Sequence, residues 1–73
     1  MFVKTKCNTI LNLDKATCID LLKYLNRDYA TIKVKIDVCD FDIYTGTIEE
    51  AEDAFNTLEE AFIHGASFID YSK

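Results

Sequence analysis

The sequence predicts a small two-layer α+β domain of order β-α-β-β-α, a three-stranded sheet with both helices packed on one face. Two segments alternate polar and apolar residues as strands do, and two others repeat apolar residues at helical spacing. The chain has 73 residues, 49% of them hydrophobic, and a net charge of −5. This composition is typical of a globular chain and not of a disordered one, so we expect residues 1–73 to form a single compact domain.

The first strand and the first helix are predicted from the N-terminal third. Val3, Thr5 and Cys7 alternate with two lysines, which predicts a strand over about 2–8. Asn12 or Asp14 can then cap a helix by accepting a hydrogen bond from a free backbone N–H group. Four apolar residues three or four positions apart favour a helix over 15–27, namely Cys18, Leu21, Leu22 and Leu25.

Residues 31–46 predict a β-hairpin. The apolar residues are even-numbered before residue 37 and odd-numbered after residue 40, so one straight strand would place them on opposite faces. A four-residue loop over 37–40 brings them to one face and sets Ile36 opposite Phe41, and Val34 opposite Ile43. A single strand with a bulge near Cys39 is the alternative.

The second helix has the clearest start and end. Thr47 followed by Glu50 forms a capping box, and Gly65 is suited to the position after the last helical turn. The predicted buried stripe contains Ile48, Ala51, Phe55, Leu58 and Phe62. The tail over 66–73 keeps three large apolar residues, which either pack on the core or await a partner.

The second helix also carries six carboxylates and no base. At 100° per residue, five of them fall on one side, away from Phe55 and Leu58: Glu49, Glu52, Asp53, Glu59 and Glu60. A solvated face that keeps a small protein in solution is one interpretation. The other is a partner-binding stripe, extended by the nearby Asp40 and Asp42 and anchored by Ile63, that competes with nucleic acid for a basic surface.

Charge is divided unevenly along the chain. Residues 1–35 have a net charge of +4 and residues 36–73 have −9, so the chain is dipolar along its sequence. Four lysines are predicted to share the open face of the sheet: Lys4, Lys6, Lys33 and Lys35. The chain as a whole is negative, and few aromatic residues lie between these lysines. We therefore interpret the face as solvated and expect no direct binding of nucleic acid.

No arrangement of residues predicts an enzyme, a metal site or a cofactor. The three cysteines, Cys7, Cys18 and Cys39, are odd in number and lack a paired motif, so we interpret them as reduced, small core residues. His64 is the only histidine and has no nucleophile at recognisable spacing. The acids between 37 and 42 lack the glycine and glutamate of a calcium loop.

The N-terminal residues contain no signal-peptide core, and no apolar run is long enough to span a membrane. We therefore expect a cytoplasmic protein without a membrane partner.

In size, acidity and lack of a catalytic motif, the chain resembles the small inhibitors encoded by phages and mobile elements, including anti-restriction and anti-CRISPR proteins. This resemblance implies a non-enzymatic inhibitor that docks an acidic helix on a basic, nucleic-acid-binding surface of a host protein. The alternative is a structural homo-oligomer, such as a homodimer, held by the basic and acidic halves or by the aromatic tail.

Overall fold

A computed structural model describes residues 1–72 as six strands and one α-helix. In chain order these are β1 Phe2–Lys4, β2 Ile10–Asn12, β3 Ala16–Tyr24, β4 Tyr29–Ile36, β5 Cys39–Gly46, α1 Ile48–Ile63 and β6 Phe68–Asp70. Short 3-10 turns over Leu13–Lys15 and Leu25–Arg27 flank β3. Within residues 1–72, no helix has the length and apolar character required to cross a lipid bilayer.

The α+β class is confirmed, but the predicted single sheet with two helices is wrong. A large antiparallel sheet has the strand order β3-β4-β5, and a small mixed sheet has the order β2-β1-β6. In the small sheet, β1 pairs antiparallel with β2 and parallel with β6. The helix packs across all three strands of the large sheet, so two sheets and one helix enclose a common core.

The helix predicted over 15–27 is instead strand β3, a nine-residue edge strand paired with β4. Its inner face, toward α1, carries Ile19 and Leu21, which lie opposite Val34 and Ile32. Leu25, placed in the predicted helical stripe, is 77% exposed in the turn that follows. The segment therefore follows the two-residue period of a strand, which places Ile19 and Leu21 on one face, and not the 3.6-residue period of a helix.

The predicted hairpin is confirmed, with a different register. Its loop has two residues rather than four, since Ile36 lies opposite Cys39 and Val34 opposite Phe41. Asp37 makes this tight loop possible by adopting a positive φ of 56°, a conformation that aspartate tolerates better than most residues. A bulge at Ile43 then shifts the register of the two strands. The alternative, a single strand with a bulge near Cys39, is wrong, because Cys39 pairs with Ile36 across the hairpin.

The predicted capping box of α1 is present. The Thr47 hydroxyl accepts a hydrogen bond from the Glu50 backbone N–H at 3.1 Å, and the Glu50 carboxylate accepts one from the Thr47 N–H at 2.9 Å. At the other end, Gly65 adopts a φ of 68°, the left-handed conformation that ends helices. The fully buried helical residues are Ala51, Ala54 and Leu58.

The predicted buried stripe is therefore only partly correct. Ile48 and Phe55 are partly buried, and Phe62 is 47% exposed. The buried side is rotated toward Ala54, because the helix lies over a sheet whose inner side chains include Ile32, Val34 and Ile43. Alanines at 51 and 54 allow the helix backbone to approach these strands closely.

The C-terminal tail packs on the core of its own chain. Ile69 lies opposite Val3 in the small sheet, and Tyr71 is buried. The Tyr71 hydroxyl donates a 2.6 Å hydrogen bond to the Ala54 carbonyl, and its ring meets that of Tyr44 edge-on at 5.5 Å. The tail thus connects the small sheet to the helix. Lys73 lies outside the described residues.

Candidate functional site

The acidic residues of α1 lie on two different parts of its surface. The outward face, opposite the buried side, carries Glu49, Asp53, Asn56, Glu60 and Ile63, all exposed. The β3-side flank carries Glu52, Phe55, Glu59 and Phe62. The prediction that all five carboxylates lie together and away from Phe55 is therefore wrong for Glu52 and Glu59, which are neighbours of Phe55.

The outward face is free of neutralising bases. Within residues 1–72, neither Glu49 nor Asp53 forms an ion pair. The contact at Glu60 is with His64, at 3.9 Å, and both side chains are exposed. Such exposed pairs contribute little, so this face keeps a negative potential. Ile63 is 78% exposed at the C-terminal end of the same face.

The β3-side flank is identified by one ion pair. Lys23, on the inner face of β3, places its ammonium 2.7 Å from the Glu52 carboxylate. Glu59 is seven residues after Glu52 and therefore lies on the same side of the helix, two turns further on. No lysine or arginine within residues 1–72 pairs with Glu59.

Glu50 belongs to the helix start and not to a binding surface. Hydrogen bonding from the backbone N–H of Thr47, and then from the Thr47 hydroxyl, lowers the pKa of its carboxyl group. The carboxylate is thus held in place as part of the cap, at the positive end of the helix.

Asp40 and Asp42 do not lie beside the acidic residues of α1. They project from the outer face of the large sheet, because they alternate with the inward-facing Phe41 and lie opposite Lys35 and Lys33. Asp42 pairs with Lys33 at 3.1 Å. The hydrogen bond and the charge of Asp42 raise the pKa of the Lys33 ammonium.

The four lysines predicted on one sheet face are dispersed. Lys33 and Lys35 lie on the outer face of the large sheet, whereas Lys4 belongs to the small sheet. Lys6 donates a 3.2 Å hydrogen bond to the Thr45 carbonyl and stands 4.6 Å from the centre of the Tyr44 ring. Two of these four lysines are therefore bound by other parts of the fold.

The interpretation of the cysteines as core residues is wrong, because Cys7, Cys18 and Cys39 are all exposed free thiols. Within residues 1–72, no three side chains among His, Cys, Asp and Glu are grouped so that they could hold a metal ion.

An open pocket of about 330 Å³ lies at the turn after β3, lined by Tyr24, Leu25, Asn26 and Arg27. It contains none of the residues that the sequence singled out. Its single cation, Arg27, forms no ion pair with any of residues 1–72.

No protein-family model, curated protein or solved structure matches this sequence.

Proposed function

We propose that the chain is a small, non-enzymatic binding protein that docks α1 on a basic surface of another protein. The observation that carries this proposal is the outward face of α1, where Glu49, Asp53 and Glu60 are exposed and no lysine or arginine within residues 1–72 pairs with them. Like charges at helical spacing repel one another, so the arrangement lowers the stability of the isolated chain. A basic surface of a partner would attract the same carboxylates and offset their mutual repulsion.

A nucleic-acid-binding surface is the partner that the charge spacing favours. The four carboxylates of α1 that neither cap the helix nor pair with a lysine, Glu49, Asp53, Glu59 and Glu60, extend over roughly 16 Å of helix, or one charge per about 4–5 Å. One strand of duplex DNA carries a charge per about 3.4 Å of its axis. Even with Glu50 and Glu52 engaged within the chain, the helix offers a row of anions to a groove lined with lysine or arginine.

The inhibitor role follows from this competition. A protein that occupies a basic groove excludes nucleic acid from it, as expected of an anti-restriction or anti-CRISPR protein from a phage or mobile element. Ile63, exposed beside the carboxylates, would supply an apolar anchor within the contact.

The test compares two triple variants that remove the same charge from opposite sides of the molecule. E49Q/D53N/E60Q removes three carboxylates from the outward face of α1. D20N/D37N/D40N removes three from the large sheet and its hairpin loop, and none of these three forms an ion pair within residues 1–72. Each tagged protein is used to capture partners from host lysate at low salt, and the captured protein is then titrated with its nucleic acid. We expect the helix variant to weaken capture by about tenfold or more, and the sheet variant to bind like the wild type.

Displacement of the captured protein by duplex or single-stranded nucleic acid, and by rising salt, is the second expected result. Equal binding by the two triple variants would contradict the proposal, because the outward face would then contribute no more than any other acidic surface.

A homo-oligomer is the second candidate, favoured by exposed apolar residues on the outer face of the small sheet. Phe2, Ile10 and Phe68 are each about half exposed there. Assembly through the basic and acidic halves is less favoured, since Lys23–Glu52 and Lys33–Asp42 already join the two halves within one chain. Sedimentation at micromolar concentration separates the candidates, because a monomer contradicts the oligomer.

A further inference from the structure

The free edge of β3 and the flank of α1 beside it make up one candidate binding surface, the β3 groove. Strand β3 is an edge strand, and within residues 1–72 its backbone hydrogen bonds to another strand are those with β4. An edge strand leaves half of its backbone N–H and C=O groups without a ladder partner. On the inner side of β3, Ile19 and Leu21 are partly buried and pack against the core, as does Phe55 of the helix.

The two ends of β3 are protected and its middle is open. A bulge between Ala16 and Cys18 disrupts one end. At the other end, Lys23 points inward and is held by Glu52. Bulges and inward-pointing charges are the devices by which proteins prevent unwanted strand pairing. The unprotected window is therefore about five residues long, from Cys18 to Leu22.

The opposite edge of the sheet is partly covered. The Lys6 side chain donates a hydrogen bond to the Thr45 carbonyl of β5, and the bulge at Ile43 bends that strand. Of the two edges of the large sheet, β3 is thus the more suitable one for an added strand.

The helix flank above this window alternates acidic and aromatic side chains. Glu52, Phe55, Glu59 and Phe62 follow one another at steps of three, four and three residues, which places them about 4.5–6 Å apart along the helix axis. Side chains on one face of an extended strand recur about every 6–7 Å. A strand laid along β3 can therefore present basic and apolar side chains in alternation to the acidic and aromatic side chains of the flank.

We propose that this groove binds an extended segment of a partner protein, added to β3 as a further strand, with basic and apolar residues alternating on its inner face. The inference rests on the proposed function, since the basic partner is the same, and it names the element that the partner contributes. Backbone hydrogen bonds to β3 would supply affinity, and the flank would select the side chains.

A second copy of the chain is a poorer occupant. Pairing β3 with itself about a two-fold axis through residue 20 would set Asp20 opposite Asp20. Any two-fold pairing that continues the sheet would also bring together two flanks that each carry Glu52 and Glu59. Charge complementarity therefore favours a basic segment.

The test uses the ¹⁵N-labelled full chain and the peptide acetyl-Lys-Thr-Val-Thr-Lys-Thr-Val-Thr-amide, which places lysine and valine alternately on one face. The matched control is the same peptide with every backbone nitrogen methylated, so that charge and side chains remain but strand pairing is lost. Binding is followed by amide chemical shifts and by hydrogen exchange. We expect the unmethylated peptide to slow exchange in the 18–22 window at least about threefold, and the methylated peptide to bind at least about fivefold more weakly.

Two charge-matched variants then separate this inference from the proposed function. E59Q should weaken the peptide about twofold to fivefold, whereas E49Q, which also removes a carboxylate without an ion pair but from the outward face, should change its affinity less than about 1.5-fold. Equal binding of both peptides, with shifts confined to the outward face of α1, would overturn the groove and leave the proposed function standing. Absence of peptide binding would also overturn the groove, while the outward-face triple variant decides the proposed function independently.

Discussion

Tyr71 shows how one residue can connect separate parts of a small fold. It follows β6, its ring packs against Tyr44 of β5, and its hydroxyl donates to the carbonyl of Ala54 in α1. Burial, and then the proximity of Tyr44, raise the pKa of Tyr71 to about 12, from an ordinary value near 10. The neutral phenol is therefore part of the folded structure.

This shift predicts a loss of stability in alkaline solution. Below pH 10 both states keep the proton, so the contribution of Tyr71 is fully present. Between about pH 10 and 12 the unfolded chain loses the proton while the folded chain retains it, so stability falls by about 2–3 kcal/mol across this window. Tyr71→Phe should lower stability at pH 7 by about 1 kcal/mol, and should remove this part of the pH dependence.

Urea unfolding at pH 7, 10 and 11.5 measures the effect. Tyr24→Phe, at an exposed tyrosine, is the control and should keep the wild-type slope. An unchanged slope in the Tyr71 variant would show that the phenol proton does not contribute to the alkaline loss.

Among the elements, α1 was the most predictable because its ends are set by local chemistry. The capping box and Gly65 define a helix within a few residues, whatever the rest of the chain does. Which side is buried depends instead on tertiary packing. Phe62 matches the apolar period of the helix, yet it is half exposed, whereas the small Ala54 is buried.

Strand β3 was not predictable from spacing alone because its sequence satisfies two periods. Leu21, Leu22 and Leu25 follow a helical step, while Ile19 and Leu21 follow the alternation of a strand. Two features of the sequence favoured a strand. Ile19 does not belong to the apolar stripe of the predicted helix, and Thr17, Ile19 and Tyr24 are residue types that prefer strands.

The apolar pattern predicted the hairpin but not the pairing of its residues. The predicted register differs from the observed one by two residues at Val34 and Lys35. A shift of two keeps the side chains from Lys33 to Asp42 on their predicted faces. Tyr44 was predicted beside Lys33 on the polar face, but the bulge at Ile43 places it opposite Ile32 on the inner face. Aspartate at residue 37 with positive φ and the bulge at Ile43 are local conformations that the apolar pattern does not encode.

The cap of α1 gives a prediction at this scale. Thr47→Ala removes the hydroxyl that accepts from the Glu50 N–H and should lower the free energy of unfolding by about 1 kcal/mol. Thr47→Ser keeps the hydroxyl and should remain within about 0.5 kcal/mol of the wild type. Chemical unfolding monitored by far-UV circular dichroism measures both. Equal stability of the alanine and serine variants would mean that the hydroxyl does not cap the helix.

For the whole molecule, the division into a basic and an acidic half describes the sequence better than the fold. Lys23–Glu52 and Lys33–Asp42 join the two halves. Within residues 1–72, the acids of α1 that neither form an ion pair nor cap the helix are Glu49, Asp53 and Glu59. The sequence predicted which helix carries the charge. The predicted hairpin, with its apolar side chains toward the helices, already placed Asp42 on the opposite face. The grouping of Asp40 and Asp42 with the helix carboxylates therefore conflicted with the predicted fold itself.

Asn56 lies at the centre of this charge distribution. Its neighbours at three and four residues in each direction are Glu52, Asp53, Glu59 and Glu60, and its own side chain is exposed. A lysine there would face four carboxylates at the spacing that stabilises helices. A polar, uncharged residue at this position leaves the repulsion in place, as expected if the negative field serves a partner rather than the stability of the chain.

Asn56→Lys should therefore stabilise the free protein and weaken its binding, without removing any carboxylate. We expect a gain of about 0.5–1 kcal/mol at low salt that shrinks in 0.5 M NaCl, because these exposed pairs are screened. Asn56→Gln, which also improves helix propensity but adds no charge, is the control for the gain. Thermal unfolding at two salt concentrations and capture of the basic partner are the two measurements. The contrary result would be a lysine variant that is more stable and still binds its partner like the wild type. The negative field of α1 would then serve no binding function, because a positive charge at its centre would not weaken binding.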